Sequence, residues 1–216
     1  LSLSLSLSLS LSLSLSQHLE WYLILICLIG DVGCFMVYLL NFMRLERGEA
    51  LFLGPNEPHA YVSGDMMECM AASDNTVRAG LTSKFKDVDT LCSMLTYATG
   101  RPKFVDRSVV TAEGNSRQEI YTPPVDDFLV SSVVISDAFQ LDSWDSAMIC
   151  MVEKGRGRVS TTKEHKGGLV VSRGDTFLVP AGRKLYLENV DRNSGDFVLW
   201  TSCVNCPSAS SSPSRL

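Results

Sequence analysis

The sequence predicts a mainly β chain built from two related strand units with a helical insertion between them. Three observations carry this reading. First, short strand-like runs succeed one another after residue 127: FLVSSVVI (128–135), AMICMVE (147–153), GRVSTT (157–162), GLVV (168–171), TFLVP (176–180), KLYLENV (184–190) and DFVLWTSCV (196–204). Turn signals such as KGRG (154–157) and DRNSG (191–195) separate them at the spacing of sandwiches and barrels. Second, RGEALFLGPNEPHAYV (47–62) and RGDTFLVPAGRKLYLE (173–188) align without gaps at an offset of 126 residues. Each reads as a Gly-acid turn, an apolar strand, a Gly/Pro turn and a second strand, the trace expected of two copies of one β unit. Third, in KDVDTLCSMLTYAT (86–99) Val88, Leu91, Met94 and Leu95 share a helical face, with Asp87 placed to cap the start.

The ends are unlike the middle. Residues 1–16 are a strict Leu-Ser repeat, a period-2 pattern able to template strand pairing but with no turn or partner strand specified. The chain begins with Leu rather than Met, and a CTCTCT nucleotide repeat reads as Leu-Ser in one frame. Residues 1 to about 29 are therefore expected to be non-coding sequence translated into an incomplete chain, 17–29 being an apolar leader. Residues 205–216 are Ser/Pro-rich and read as a disordered tail. Gly100, Pro102, Gly114, Pro123 and Pro124 mark 100–124 as a connection between two domains.

Composition limits the function. A net charge of −5 argues against nucleic acid as a partner, since phosphate binding needs a clustered basic surface. The cysteines, at 27, 34, 69, 92, 150, 203 and 206, are odd in number and mostly embedded in apolar runs, as buried free thiols are in a reducing compartment. Cys203 and Cys206 form a lone C-x-x-C with no second pair to complete a zinc site. Residues 21–40 are long and apolar enough to span a bilayer, but Asp31 stands mid-span, where a carboxylate is costly. The second half reads better as a soluble helix burying Val32, Phe35, Met36, Leu39, Leu40 and Met43 along one stripe.

A Gly, an apolar strand and P-x-G-x-x-H resemble the second motif of cupin barrels. The first copy reads G-P-N-E-P-H and ends on His59; the second reads P-A-G-R-K-L and puts Leu185 in the histidine slot. The expected architecture is two cupin-like (jelly-roll) barrels, one partial and one C-terminal without metal ligands (125–204). A lone His after a turn reads equally as a surface or satisfied core histidine.

The segment GEALFLGPNEPHAYVSGDMMECMAASDNTVRAGLTSKFKD (48–87) is similar, nearly residue for residue, to the hallmark region of type I phosphomannose isomerases. GDVGCFMVYLLNFM (30–43) and VDTLCSMLTY (88–97) resemble that family too, so 30–99 is expected to be part of its catalytic domain. The resemblance implies a zinc enzyme that interconverts mannose 6-phosphate and fructose 6-phosphate, supplying mannose for GDP-mannose. It implies His59 as a zinc ligand, Tyr61 lining the pocket on the same strand face, Glu68 and Arg78 as catalytic residues, Asp65 in the pocket, and Lys84 toward the sugar phosphate. Ser83 stands where the family usually has Pro. Other readings of the same residues are an ion-pair partner for Glu68, a solvated loop for Lys84 with Lys86, and turn formers for Asp74 and Asn75.

The resemblance also implies that the family's remaining zinc ligands, a Q-x-H pair and a Glu, precede everything present here. His18 follows Gln17 directly, and His165 lies in a Lys/Gly-rich turn; neither substitutes. The chain is thus expected to be a monomeric, cytoplasmic isomerase fragment with an incomplete zinc site. The alternative is a catalytically dead barrel derived from the isomerase that binds a partner. Ser214-Arg215-Leu216 resembles the S-K-L peroxisomal address.

Overall fold

The computed structural model describes residues 4–9, 30–73, 76–111, 115–164 and 167–205. The chain divides into two compact units, Leu1–Val105 and Asp106–Leu216.

The second unit contains two antiparallel sheets. One orders β10 (Leu169–Ser172), β9 (Arg156–Ser160), β12 (Leu185–Asn189) and β7 (Ala138–Leu141). The other orders β11 (Thr176–Val179), β8 (Met148–Lys154), β13 (Phe197–Cys203), β6 (Leu129–Ile135), β5 (Arg117–Tyr121) and β4 (Arg107–Thr111). Alternate residues of facing strands fill one core: Leu129, Val133 and Ile135 from β6, Met148, Cys150 and Val152 from β8, and Leu185 and Leu187 from β12. The apolar runs after residue 127 thus form the strands their alternation predicts.

Three strands depart from the sequence reading. β4 and β5 occupy 107–121, within the stretch read as a connection; they extend the larger sheet from β6, with Tyr121 opposite Val130. β7 was not marked by any long apolar run; Phe139 and Leu141 alone bury one face of it.

Two side chains fix how this unit closes. Asn189, 2% exposed, donates from Nδ2 to the carbonyls of Ile135, Ser136 and Gly195 and accepts from the Asp191 amide through Oδ1. Gly157 on β9 lies directly under the Phe197 ring, where an added Cβ would overlap ring atoms. Burial pushes the Cys150 thiol up to about 12, with Cys203 adding to it. Cys203 is buried as well, whereas Cys92 is exposed, against the expectation of a buried thiol. Cys27 and Cys206 lie outside the described residues.

The first unit is smaller and more open. Its sheet orders β2 (Glu49–Leu53), β1 (Ser4–Leu9) and β3 (Asp65–Cys69), all antiparallel. The Leu-Ser repeat therefore does find partners: Ser6 stands opposite Leu51 on one side and Glu68 on the other. A backbone ladder accepts any extended strand, and a shift by two residues leaves the Leu-Ser pattern unchanged, so the repeat itself does not select this register. α1 (Val88–Met94) is shorter than the 86–99 pattern, since Leu95 is already extended; Asp87 caps it, accepting from the Thr90 amide at 3.1 Å.

Residues 32–38 form a 3-10 helix rather than the predicted α-helix. With three residues per turn, Val32, Phe35 and Tyr38 line up as one ridge, and all three are exposed. The expected stripe is not buried; Gly33 is. A Cβ on Gly33 would lie 2.7 Å from the Leu81 amide nitrogen and 3.0 Å from Gly80 Cα. One on Gly80 would lie 2.7 Å from Gly33 Cα. Two backbones meet here with no room for a side chain. Asp31 sits over the contact: Oδ1 accepts from the Gly33 amide at 2.7 Å and the Leu81 amide at 3.1 Å, and Oδ2 accepts from Lys86 Nζ at 2.7 Å. The side chain that counted against a membrane span is a clamp between segments about fifty residues apart. No helix among the described residues is long and apolar enough to cross a membrane; residues 21–29 lie outside them.

Two predictions follow from the packing. Gly157→Ala should destabilise the second unit by about 1–3 kcal/mol through overpacking against Phe197, read as a lower urea midpoint in Trp200 fluorescence. An unchanged midpoint would place the Phe197 ring elsewhere. The second concerns acid. The Lys86 ammonium, then the Gly33 and Leu81 amides, hold the Asp31 carboxyl well below the usual carboxylate range against the opposing effect of burial. Its stabilising contribution is fully present above the unfolded-state value near pH ~4 and is lost as pH falls toward the folded-state value. The stability gap between wild type and Asp31→Asn, followed by the Gly33 amide resonance in urea, should be widest near neutral pH and narrow below about pH 4. A gap that stays constant with pH would contradict the clamp.

Candidate active site

The candidate site starts in the segment joining β2 to β3. Ala50, Leu51 and Leu53 bury β2, and Gly54, Pro55 and Asn56 turn the chain; Asn56 has a φ of 61°, the left-handed value Asn tolerates best among residues with a side chain. Glu57 returns a carboxylate oxygen to the Gly54 amide at 3.3 Å. The chain then runs irregularly through 57–62, where the sequence predicted a second strand. The second copy keeps that strand as β12, because there Leu185 and Leu187 enter the barrel core. In the first copy the corresponding positions are His59 and Tyr61, both exposed, so no apolar alternation draws the segment into a sheet.

His59 Nδ1 lies 2.9 Å from the Glu57 carbonyl. A carbonyl only accepts, so Nδ1 donates, and in the neutral ring the lone pair is on Nε2. The His59 and Tyr61 rings lie side by side with centroids 5.7 Å apart. The sequence expected them on one strand face; the structure brings them together without the strand. Tyr61 donates its hydroxyl to Glu68 Oε1 at 2.7 Å. His59, Tyr61 and Glu68 therefore form one connected group, with Glu68 held on β3.

Asp65 begins β3, three residues before Glu68. Alternation along a strand sends 65, 67 and 69 to one face and 66 and 68 to the other, so Asp65 does not join this group. Arg78 and Lys84 lie on the irregular stretch between β3 and α1, both exposed. The Lys84 amide donates to Thr82 Oγ1 at 3.1 Å, and no described contact links either cation to His59, Tyr61 or Glu68. Leu81, midway between the two cations in sequence, is the residue Asp31 holds. Lys86, read as part of a solvated loop, is the ion-pair partner of Asp31. Asp74, Asn75, His18, His165 and the last three residues lie outside the described residues.

Among the described residues no group of three or more His, Cys, Asp or Glu stands close enough to hold a metal ion. In the second copy Leu185 is 3% exposed within the core, so an apolar side chain fills the position where the first copy has imidazole.

Comparison with known proteins bears on this geometry. No family model matches the chain. A mannose-6-phosphate isomerase from Cryptococcus neoformans is 41% identical over 165 residues, 74% of this chain and 37% of that protein. The Homo sapiens mannose-6-phosphate isomerase is 37% identical over 179 residues, 81% of this chain and 41% of that protein. A probable mannose-6-phosphate isomerase from Dictyostelium discoideum is 56% identical over 108 residues, half of this chain. Among solved structures, a point variant of phosphomannose isomerase from Salmonella typhimurium superposes with a TM-score of 0.69 at 26% identity, covering 90% of this chain and 48% of that one. The fold is the cupin architecture of those enzymes. Through its C-terminal part the chain is related to the mannose-6-phosphate isomerases, and it spans about two-fifths or less of the length of these curated relatives.

Proposed function

We propose that this chain carries part of the active site of an isomerase interconverting mannose 6-phosphate and fructose 6-phosphate. The observation that carries the reading is the connected His59–Tyr61–Glu68 group, which falls inside the segment most similar to that family. Sugar phosphate is the substrate class this reading assigns, and the cytoplasm the compartment.

The reaction removes a proton from the carbon beside a carbonyl and returns one to the former carbonyl carbon. Glu68 is the base: its carboxylate takes the proton from C2 of the open-chain aldose, and the C–H electron pair forms the C1–C2 double bond of an enediolate. The C1 carbonyl pair moves onto O1, O1 takes the proton that O2 gives up as C2 becomes the carbonyl, and C1 takes its proton back from Glu68. Tyr61 holds Glu68 through one oxygen and leaves the other to face substrate. Arg78, which never loses its proton, stabilises the negative charge developing on the enediolate oxygens. Lys84 supplies a point charge for the phosphate.

The family resemblance assigns His59 to zinc, and its Nε2 is the nitrogen able to bind a metal. One imidazole is short of the three protein ligands a catalytic zinc site uses, and among the described residues no group of three His, Cys, Asp or Glu gathers around it. The described residues do not make the zinc site by themselves, so no step here runs through the metal.

The test is a coupled isomerase assay on the full chain, alone and with the remainder of the Cryptococcus relative added as a separate polypeptide. Turnover should appear on addition, and Glu68→Gln should lower it about 10²–10⁴-fold while leaving mannose 6-phosphate binding within a few-fold. Full turnover by Glu68→Gln would remove Glu68 as the base. A soluble, folded chain that neither binds mannose 6-phosphate more tightly than mannose nor gains turnover would overturn the reading.

A further inference from the structure

We infer that Asp31 is a positioning residue whose carboxylate sets the loop carrying Arg78 and Lys84. The inference rests on the reading above for what those two cations do. Leu81 is three residues from Arg78 and three from Lys84, and three constraints meet at it.

The first is polar: the Leu81 amide donates to Asp31 Oδ1, the same oxygen that takes the Gly33 amide. The second is steric. Gly80 rests against Gly33 so closely that a methyl on either would meet the other's backbone within 2.7–3.0 Å. The third is conformational: Leu81 has a φ of 53°, the left-handed region that a side chain ordinarily avoids. A leucine stays there only where its surroundings hold it, and the Asp31 hydrogen bond and the Gly33 contact are what surround its backbone.

The carboxylate also holds the loop beyond Lys84. Lys86 Nζ reaches Asp31 Oδ2 at 2.7 Å, with the Asp31 side chain only 8% exposed. The loop is therefore attached to one anion at residues 81 and 86, with Lys84 between them. Between these anchors the only other described hydrogen bond is the short-range one from the Lys84 amide to Thr82. Moving Asp31 thus moves the base of both cations, while α1 has its own N-cap in Asp87.

The experiment uses the full chain with mannose 6-phosphate as probe, in wild type, Asp31→Asn, Lys86→Gln, Lys86→Arg and Arg78→Ala. Two quantities are read: amide hydrogen exchange at Leu81 and the dissociation constant. Asp31→Asn should raise Leu81 exchange at least tenfold and weaken binding at least fivefold, with exchange in α1 and the second unit unchanged. Lys86→Gln, which keeps both amide bonds to Asp31, should weaken binding by less, and Lys86→Arg should restore it. Binding within twofold of wild type in Asp31→Asn, with Leu81 exchange raised, would make the clamp structural only and overturn the inference. Unraised Leu81 exchange would overturn it as well. Arg78→Ala separates the two levels: if it fails to weaken binding, the assignment of the loop to substrate fails. If it weakens binding and Asp31→Asn does not, positioning by Asp31 alone is refuted. Should Asp31→Asn not fold, Lys86→Gln with no change in binding overturns the inference in its place.

Discussion

The first unit depends on a contact between two glycines. Gly33 and Gly80 bring two backbones together at a distance no side chain permits, and the Asp31 carboxylate spans the junction. Everything the candidate site needs from the loop after β3 is hung on this point. Gly33 must face inward, which sets the phase of the 3-10 helix and turns Val32, Phe35 and Tyr38 outward. Leu81 must adopt a left-handed backbone, which the hydrogen bond its amide donates to the Asp31 carboxylate holds. An ion pair of this kind is weak evidence for stability, because desolvation offsets attraction, but breaking one partner leaves a charge without its complement. Here the carboxylate also satisfies two backbone amides, so it organises two chain segments as well as neutralising Lys86.

The two units use one strand pattern to different ends. In the second copy the strand after the turn carries Leu185 and Leu187 into a dry core, and the barrel closes around them. In the first copy the same positions carry His59 and Tyr61, the strand is lost, and the polar side chains lie exposed beside Glu68. The leucine that stands where the other copy has imidazole is the residue that lets its barrel pack, and the histidine of the other copy goes with an irregular backbone.

Much of this was legible in the sequence. Alternating runs bounded by turn residues marked β6 and β8 through β13, because strand periodicity and turn chemistry are both local. The edge strand β4 and its neighbour β5 were not, since Arg117, Gln118 and Glu119 read as loop composition although each strand pairs with the next one in the chain. The His59–Tyr61 adjacency was legible from the H-x-Y spacing, though the strand assumed to cause it is absent. Glu68 was visible only through family resemblance. The Asp31 clamp was not legible at all: its partners lie 50 and 55 residues away, and hydropathy alone shows only a charge interrupting an apolar run. What sequence reading lacks is long-range closure, where a glycine's value lies in what approaches it.

The most direct test of the central claim is hydrogen exchange in Gly80→Ala, compared with wild type across the first unit. A methyl at Gly80 cannot fit against Gly33, so the Gly33 and Leu81 amides should lose protection together and by similar factors, while the Thr90 amide at the α1 cap keeps its own. If Gly80→Ala leaves both amides protected, or releases one and not the other, the two segments are not held as one object and the account of the first unit is wrong.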